Sequence, residues 1–221
     1  MENLRAIDEG ALYWCENHHS NVGNMVMELV TRLGNTGVVL GVIALGVIFF
    51  WLLGRRRTAV ILLLATLLGP AISYGVKYAI KRERPDVAWR LIERPTSPSF
   101  PSGHAVNSMA VYGSLALLAS RHLRSRRVRA FVLVIGFLMP LVIGLSRPYL
   151  GVHYPSDVLA GWTAGLACAL LALWADQRWG DRERFAPAWN PPSTSQVVPS
   201  SPAESEGIRA AGEVTGFRSP D

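Results

Sequence analysis

Three separated groups of residues can do chemistry in this sequence. The first is Lys77, followed after six residues by Arg84-Pro85. The second is Pro101-Ser102-Gly103-His104, and the third runs from Ser146-Arg147 through His153 to Asp157. Together they have the residue types that phosphoryl transfer needs. That transition state spreads charge over three phosphate oxygens, so catalysis is mostly positioning and positive charge. Lys77, Arg84 and Arg147 supply the charge, and a guanidinium fork can hold two oxygens at once. A helix opening at Ser102-Gly103 presents free N–H groups and the positive end of its dipole. Gly103 allows the backbone close to a phosphate, and the Ser102 hydroxyl can add a hydrogen bond. His104 and His153 titrate near neutral pH. A neutral imidazole can attack phosphorus to form a phosphohistidine, and a second histidine can protonate the leaving alkoxide. Asp157, four residues after His153 with Pro155 between, is placed to hold a tautomer.

The elements that must position these residues are apolar runs. Residues 35–54, 58–76, 105–120, 130–146 and 158–175 carry no charge. A spanning helix needs about 20 apolar residues, and backbone groups in lipid must be satisfied within their own segment. The fold expected is therefore all-α, a polytopic transmembrane helix bundle of about five spans. The third run reaches spanning length only with His104 and the residues before it. Pro155, well placed in a first helical turn, marks the start of the fifth. Residues 1–34 are too short and polar to span. Val22, Met25, Val26, Leu29, Val30 and Leu33 recur at helical spacing, which predicts an amphipathic helix at the interface or on the bundle. The organisation expected is an interfacial segment 1–34, a membrane domain 35–178, and a disordered tail 185–221 rich in Pro, Ser, Ala and Glu.

Arginine clusters at 55–57, 121–129 and 178–184 alternate with the runs. The positive-inside rule puts all three in the cytoplasm, with the C-terminus inside and the N-terminus outside. The three chemical groups then share the outer face. Lys81, Arg82, Arg84, Arg90 and Arg94 breach the rule on that face, which suggests an anionic ligand there. Arg82, Arg90 and Arg94 themselves read as headgroup contacts or solvated charge. Trp51, Trp89, Tyr149, Trp162 and Trp174 read as interface anchors.

Composition agrees. The 221 residues suit one domain, half of them hydrophobic and only 17% charged. The net charge of +6 does not indicate nucleic acid, because the arginines lie in short loops without a basic, aromatic-studded face. Cys15 and Cys168 read as two unpaired thiols, and no metal-ligand spacing is present. The first residues, with Glu2, Asp8 and Glu9, do not resemble a cleavable signal peptide. His18, His19 and His122 fall outside the three groups.

The spacing of all three groups resembles that of the type 2 phosphatidic acid phosphatases, a superfamily that includes the vanadium haloperoxidases. The run Tyr149 to Gly161 is similar to bacterial members, and the likeness covers about residues 20–175. It implies His153 as nucleophile, oriented by Asp157, and His104 as general acid. Lys77, Arg84, Ser102, Gly103 and Arg147 would hold the phosphate, with no metal or other cofactor. Many bacterial relatives have six spans, against five and an interfacial segment here.

The function expected is a metal-independent lipid phosphatase in a bacterial inner membrane, acting on the outer leaflet of the bilayer. Undecaprenyl diphosphate is the leading substrate, beside phosphatidylglycerol phosphate and phosphatidic acid. A lipid phosphotransferase on the same scaffold has the same site. A haloperoxidase is disfavoured by the apolar spans. A non-catalytic lipid-binding or transport protein has no need for His104, His153 and Asp157. The residues do not indicate an oligomeric state.

Overall fold

The apolar runs fold as helices. The computed structural model describes residues 2–184, with side chains described for 3–179. The expected tail, 185–221, lies outside the described residues. Every regular element among the described residues is a helix: α1 (Glu2–Asn17), α2 (Asn21–Arg32), α3 (Thr36–Leu52), α4 (Arg56–Ile80), α5 (Gly103–Ser108), α6 (Ser114–Ser120), α7 (Arg126–Tyr149) and α8 (Pro155–Arg184). A π-helical turn, Met109–Gly113, joins α5 to α6 without a break. α8 begins at Pro155, as its residue type predicts.

Three helices are long and apolar enough to cross a membrane by themselves: α4, α7 and the Pro155–Trp179 part of α8, with mean hydropathies of 2.0, 2.4 and 1.8. At about 1.5 Å per residue, each exceeds the hydrocarbon thickness of about 30 Å. α2 and α3 meet the same test together, across a 50° bend. The chain is therefore an integral membrane protein with three helices of spanning length, or four if the bent pair counts as one. Residues 103–120 offer no single helix of spanning length, because the π-helical turn divides them into short pieces. No residue from 101 to 120 is exposed; each is buried or partly buried, so this segment lies against the other helices for most of its surface.

The outward faces carry large apolar side chains, among them Leu45, Leu64, Phe131, Val134 and Leu170. Trp51 and Trp174 are also exposed. Trp162 is not the interface anchor expected, because its Nε1 donates to Pro140 O at 2.9 Å, between α8 and α7.

Close approach of α8 to α5 brings the second and third chemical groups together. A Cβ on Gly165 would stand 2.5 Å from Val106 O and 2.7 Å from Met109 Cβ. One on Gly161 would stand 2.7 Å from Ala105 Cβ and 2.9 Å from Ser102 O. Two glycines four apart let two helices in lipid approach to backbone contact. Gly165→Val is expected to cost about 1–3 kcal/mol of overpacking. It should lower kcat/KM and the melting temperature in detergent together. Wild-type values for both would show that α5 and α8 do not need this contact.

The opposite end of the bundle has its own polar lock. Thr58 Oγ1 on α4 donates to Asp176 Oδ1 on α8 at 2.7 Å. Arg121, just after α6, pairs with Asp176 Oδ2 at 2.8 Å. Both cysteines are buried free thiols.

Candidate active site

Four helix ends meet at one end of the bundle. Lys77 is in the last turn of α4 and His104 in the first turn of α5. Arg147 is in the last turn of α7 and Asp157 in the first turn of α8. The 81–102 segment between α4 and α5 folds across this end and carries Arg84. α4 stops at Lys81, in the left-handed region (φ 51°), whose N–H closes on Lys77 O.

Arg84 is buried and uses all its edges. Its Nε donates to Ser97 O at 2.8 Å, and Nη2 reaches Ser97 Oγ at 3.2 Å. Its Nη1 donates to Val152 O at 2.8 Å and to His153 Nε2 at 2.9 Å. The last contact settles the tautomer of His153. A guanidinium only donates, so Nε2 must present its lone pair, and the proton sits on Nδ1. That nitrogen faces Asp157 Oδ2 at 3.4 Å and Ser99 Oγ at 3.3 Å. Ser99 in turn donates to Asp157 Oδ2 at 2.5 Å. The carboxylate contact to His153 is thus longer than the sequence reading anticipates, with a serine shared between the two. Burial holds the His153 imidazole well below its ordinary pKa; the Asp157 bond opposes this, and Arg84 and Arg147 reinforce it. The ring is neutral at physiological pH, the state a nucleophile needs. Burial likewise pushes Arg84 down to about 10, against the pull of Asp157, and it stays charged.

Asp157 also sits at the third position of α8 and accepts the Tyr154 N–H at 3.0 Å. A residue at that position can satisfy a helix's first free donor in this way, so one carboxylate caps α8 and faces His153. Its Oδ1 pairs with Arg82 Nη1 at 2.7 Å.

Arg147 is buried. Its Nη1 donates to Thr31 Oγ1 at 2.6 Å, and its Nε has no protein partner. Ser102 Oγ is also buried without a partner, and its backbone N–H donates to Asp157 O at 3.0 Å. Where a Gly103 Cβ would stand, the nearest group is Ser73 Oγ at 3.7 Å, so that side of the residue is open, and Gly103 is partly buried. Lys77 Nζ donates to Pro98 O. His104 lies within electrostatic reach of Arg147, His153, Arg84 and Lys77. Its Nε2 is 3.2 Å from Asn35 Oδ1. All the residues singled out in the sequence therefore gather at this end.

Among the described residues no carboxylate pairs with Lys77, Arg84 or Arg147. Asp157 acts on Lys77 and Arg84 only from a distance, and three buried cations with no carboxylate in contact are costly; a phosphate between them would supply the missing charge. It would also take up the spare donors of Ser102 and Arg147.

Sequence reasoning missed four residues. Arg82, read there as headgroup contact or solvated charge, instead bridges Asp157 to the buried Asp8 at 2.7 Å and stacks over Tyr154 at 4.2 Å. Asp8 on α1 also accepts from Ser156 N and Oγ, at 2.9 and 2.5 Å. Ser99 and Thr31 are the other two. No spacing rule marks any of them, because each acts through a partner distant in sequence.

The match to known proteins decides the family. Residues 58–181 match the model of the PAP2 superfamily. The chain belongs to that superfamily. Phosphatidylglycerophosphatase B of Bacillus subtilis (strain 168) is 34% identical over 161 residues, 70% of this chain and 76% of that protein. An undecaprenyl-diphosphatase of Sulfolobus acidocaldarius is 29% identical over 154 residues, 68% of this chain and 69% of that protein. Among solved structures, a transmembrane PAP2-type phosphatidylglycerolphosphate phosphatase from Bacillus subtilis superposes with a TM-score of 0.75. It is 28% identical and covers 80% of this chain and 88% of its own. The superfamily match takes in every one of the three chemical groups.

Proposed function

We propose that the protein is a lipid phosphatase working through a phosphohistidine on His153. The observation that carries this is the neutral His153, its Nε2 lone pair beside a cluster of three buried cations that no carboxylate among the described residues contacts. In the first step His104, charged as imidazolium once the bound phosphate offsets the cations around it, gives its proton to the lipid oxygen as Nε2 of His153 attacks phosphorus and the bond from phosphorus to that oxygen breaks. In the second, water attacks the phosphohistidine, His104 takes a proton from the water, and phosphate leaves with His153 restored. Lys77, Arg84, Arg147, Ser102 and the Gly103 backbone hold the phosphoryl oxygens. Asp157 holds the Nδ1 proton and offsets the charge that develops on the ring. No metal is required, because these cations supply the positive field.

The membrane reading completes the proposal. Residues 103–120 and α3 join the three long helices as spans four and five. The 1–34 segment lies at the outer interface, where Leu4, Ile7, Trp14, Val22, Met25 and Leu29 are exposed. Residues 35–178 form the catalytic domain, and the tail from 185 is cytoplasmic. The site then faces the outer side of a bacterial inner membrane. The names of the relatives direct the substrate to a lipid phosphate, either phosphatidylglycerol phosphate or undecaprenyl diphosphate.

The test is phosphate release by the purified protein in detergent, with EDTA present, from these two lipids and phosphatidic acid. Release from at least one lipid, unchanged by EDTA, is expected. Release that EDTA abolishes and a divalent cation restores would overturn the metal-free mechanism. A phosphorylated alcohol formed in place of free phosphate would mark a transferase.

A further inference from the structure

The turn between α2 and α3 contributes to the site in a way its sequence does not advertise. Asn35 is the N-cap residue of α3, with extended backbone (φ −67°, ψ 145°). An asparagine there normally accepts an N–H from the first turn of its own helix. Asn35 makes no such bond, and its Oδ1 lies 3.2 Å from His104 Nε2 instead. The neighbouring Gly34 rests on the same ring. A Cβ at Gly34 would stand 2.7 Å from His104 Cδ2 and 2.7 Å from Ile143 Cγ2. The turn therefore covers the Cδ2–Nε2 edge of the imidazole. It is also pinned to the site on both sides. Leu33 O accepts from Tyr112 OH at 3.0 Å, in the π-helical turn that continues the helix carrying His104. Thr31 Oγ1 accepts from Arg147 at 2.6 Å.

We propose that Asn35 is a positioning residue for His104, with Gly34 as the surface on which the ring lies. The carbonyl oxygen of Asn35 only accepts, so it holds the proton of Nε2 and leaves Nδ1 as the nitrogen that exchanges protons. As the bond from phosphorus to the lipid oxygen breaks, the Nδ1 proton passes to that oxygen. The neutral Nε2–H tautomer remains, still bonded to Asn35. The α2–α3 turn is thus part of the catalytic apparatus. This inference rests on the reading of His104 as the acid.

A poor alkoxide leaving group needs that proton and an aryl leaving group does not, which provides the test. kcat/KM, which reports the phosphorylation step, is measured for phosphatidylglycerol phosphate and for p-nitrophenyl phosphate. The proteins compared are wild type, His104→Ala, Asn35→Ala and Asn35→Asp, each checked for wild-type melting in detergent. Asn35→Ala is expected to lose about 10-fold or more on the lipid and under about 3-fold on the aryl ester, a weaker copy of His104→Ala. Asn35→Asp, which keeps an acceptor on Nε2–H, should recover most of the loss on the lipid and move the basic limb of its pH profile upward. Equal losses on both substrates, or none, in Asn35→Ala would overturn the positioning role while His104→Ala stays selective. If His104→Ala itself loses both equally, the acid assignment fails and this inference fails with it.

Discussion

Replacing His153 with alanine is expected to lower kcat/KM by about 10,000-fold or more, the scale of losing a nucleophile. The size follows from the geometry around the ring. Nε2 accepts from Arg84 at 2.9 Å, so it carries a lone pair rather than a proton, and that lone pair turns from Arg84 to phosphorus in the attack; burial keeps the ring unprotonated. No second neutral imidazole occupies that place, because His104 is engaged with Asn35 at the α2–α3 turn. The cations survive the substitution, so the variant should still bind inorganic phosphate. Rapid quenching of wild type should yield an acid-labile, base-stable phosphoenzyme that the variant does not form. A variant within 10-fold of wild type would remove His153 from the mechanism.

Asp157→Asn is expected to cost about 1,000- to 10,000-fold in kcat/KM, comparable to the same change in a carboxylate that orients a catalytic histidine. Donors surround Asp157. Oδ2 receives Ser99 at 2.5 Å, Tyr154 N–H at 3.0 Å and faces His153 Nδ1 at 3.4 Å. Oδ1 receives Arg82 at 2.7 Å. An amide group placed here must aim N–H at one of these donors. With NH2 at the Oδ2 position it opposes the Nδ1 proton and inverts the tautomer of His153. With NH2 at the Oδ1 position it opposes Arg82 and loosens the bridge to Asp8. Both orientations also remove the charge that offsets the imidazolium. Phosphate affinity, read by calorimetry, should fall far less than kcat. Unchanged kcat would mean that Ser99 alone holds the ring.

The sequence by itself determined the parts that depend on short-range rules. Uncharged runs longer than a bilayer half must close their own hydrogen bonds, so the helices at 58–76, 130–146 and 158–175 fall inside α4, α7 and α8. Pro155 starts α8 because a proline loses nothing in a first turn. His104, His153, Asp157 and the three cations could be picked out by type because phosphoryl chemistry needs such residues; Lys77, His104, Arg147 and Asp157 sit in end turns of helices, and Arg84 and His153 in the connecting segments.

Only the tertiary structure decided what surrounds them. Asp8 reaches Ser156 across 148 positions, Thr31 meets Arg147 across 116, and Asn35 meets His104 across 69. A buried carboxylate on α1 looks like any surface aspartate until its partners are in place. Arg82 looked like a headgroup contact because charge and position alone favour solvent, and Asp8 and Asp157 together outweigh that. Residues 103–120 fell short of a lone membrane helix because the π-helical turn at Met109–Gly113 divides them, a change of helix type that no hydropathy pattern announces. In each case local propensity is a property of a few neighbouring residues. The energies that position a catalytic group come from contacts the chain makes only after its helices have packed.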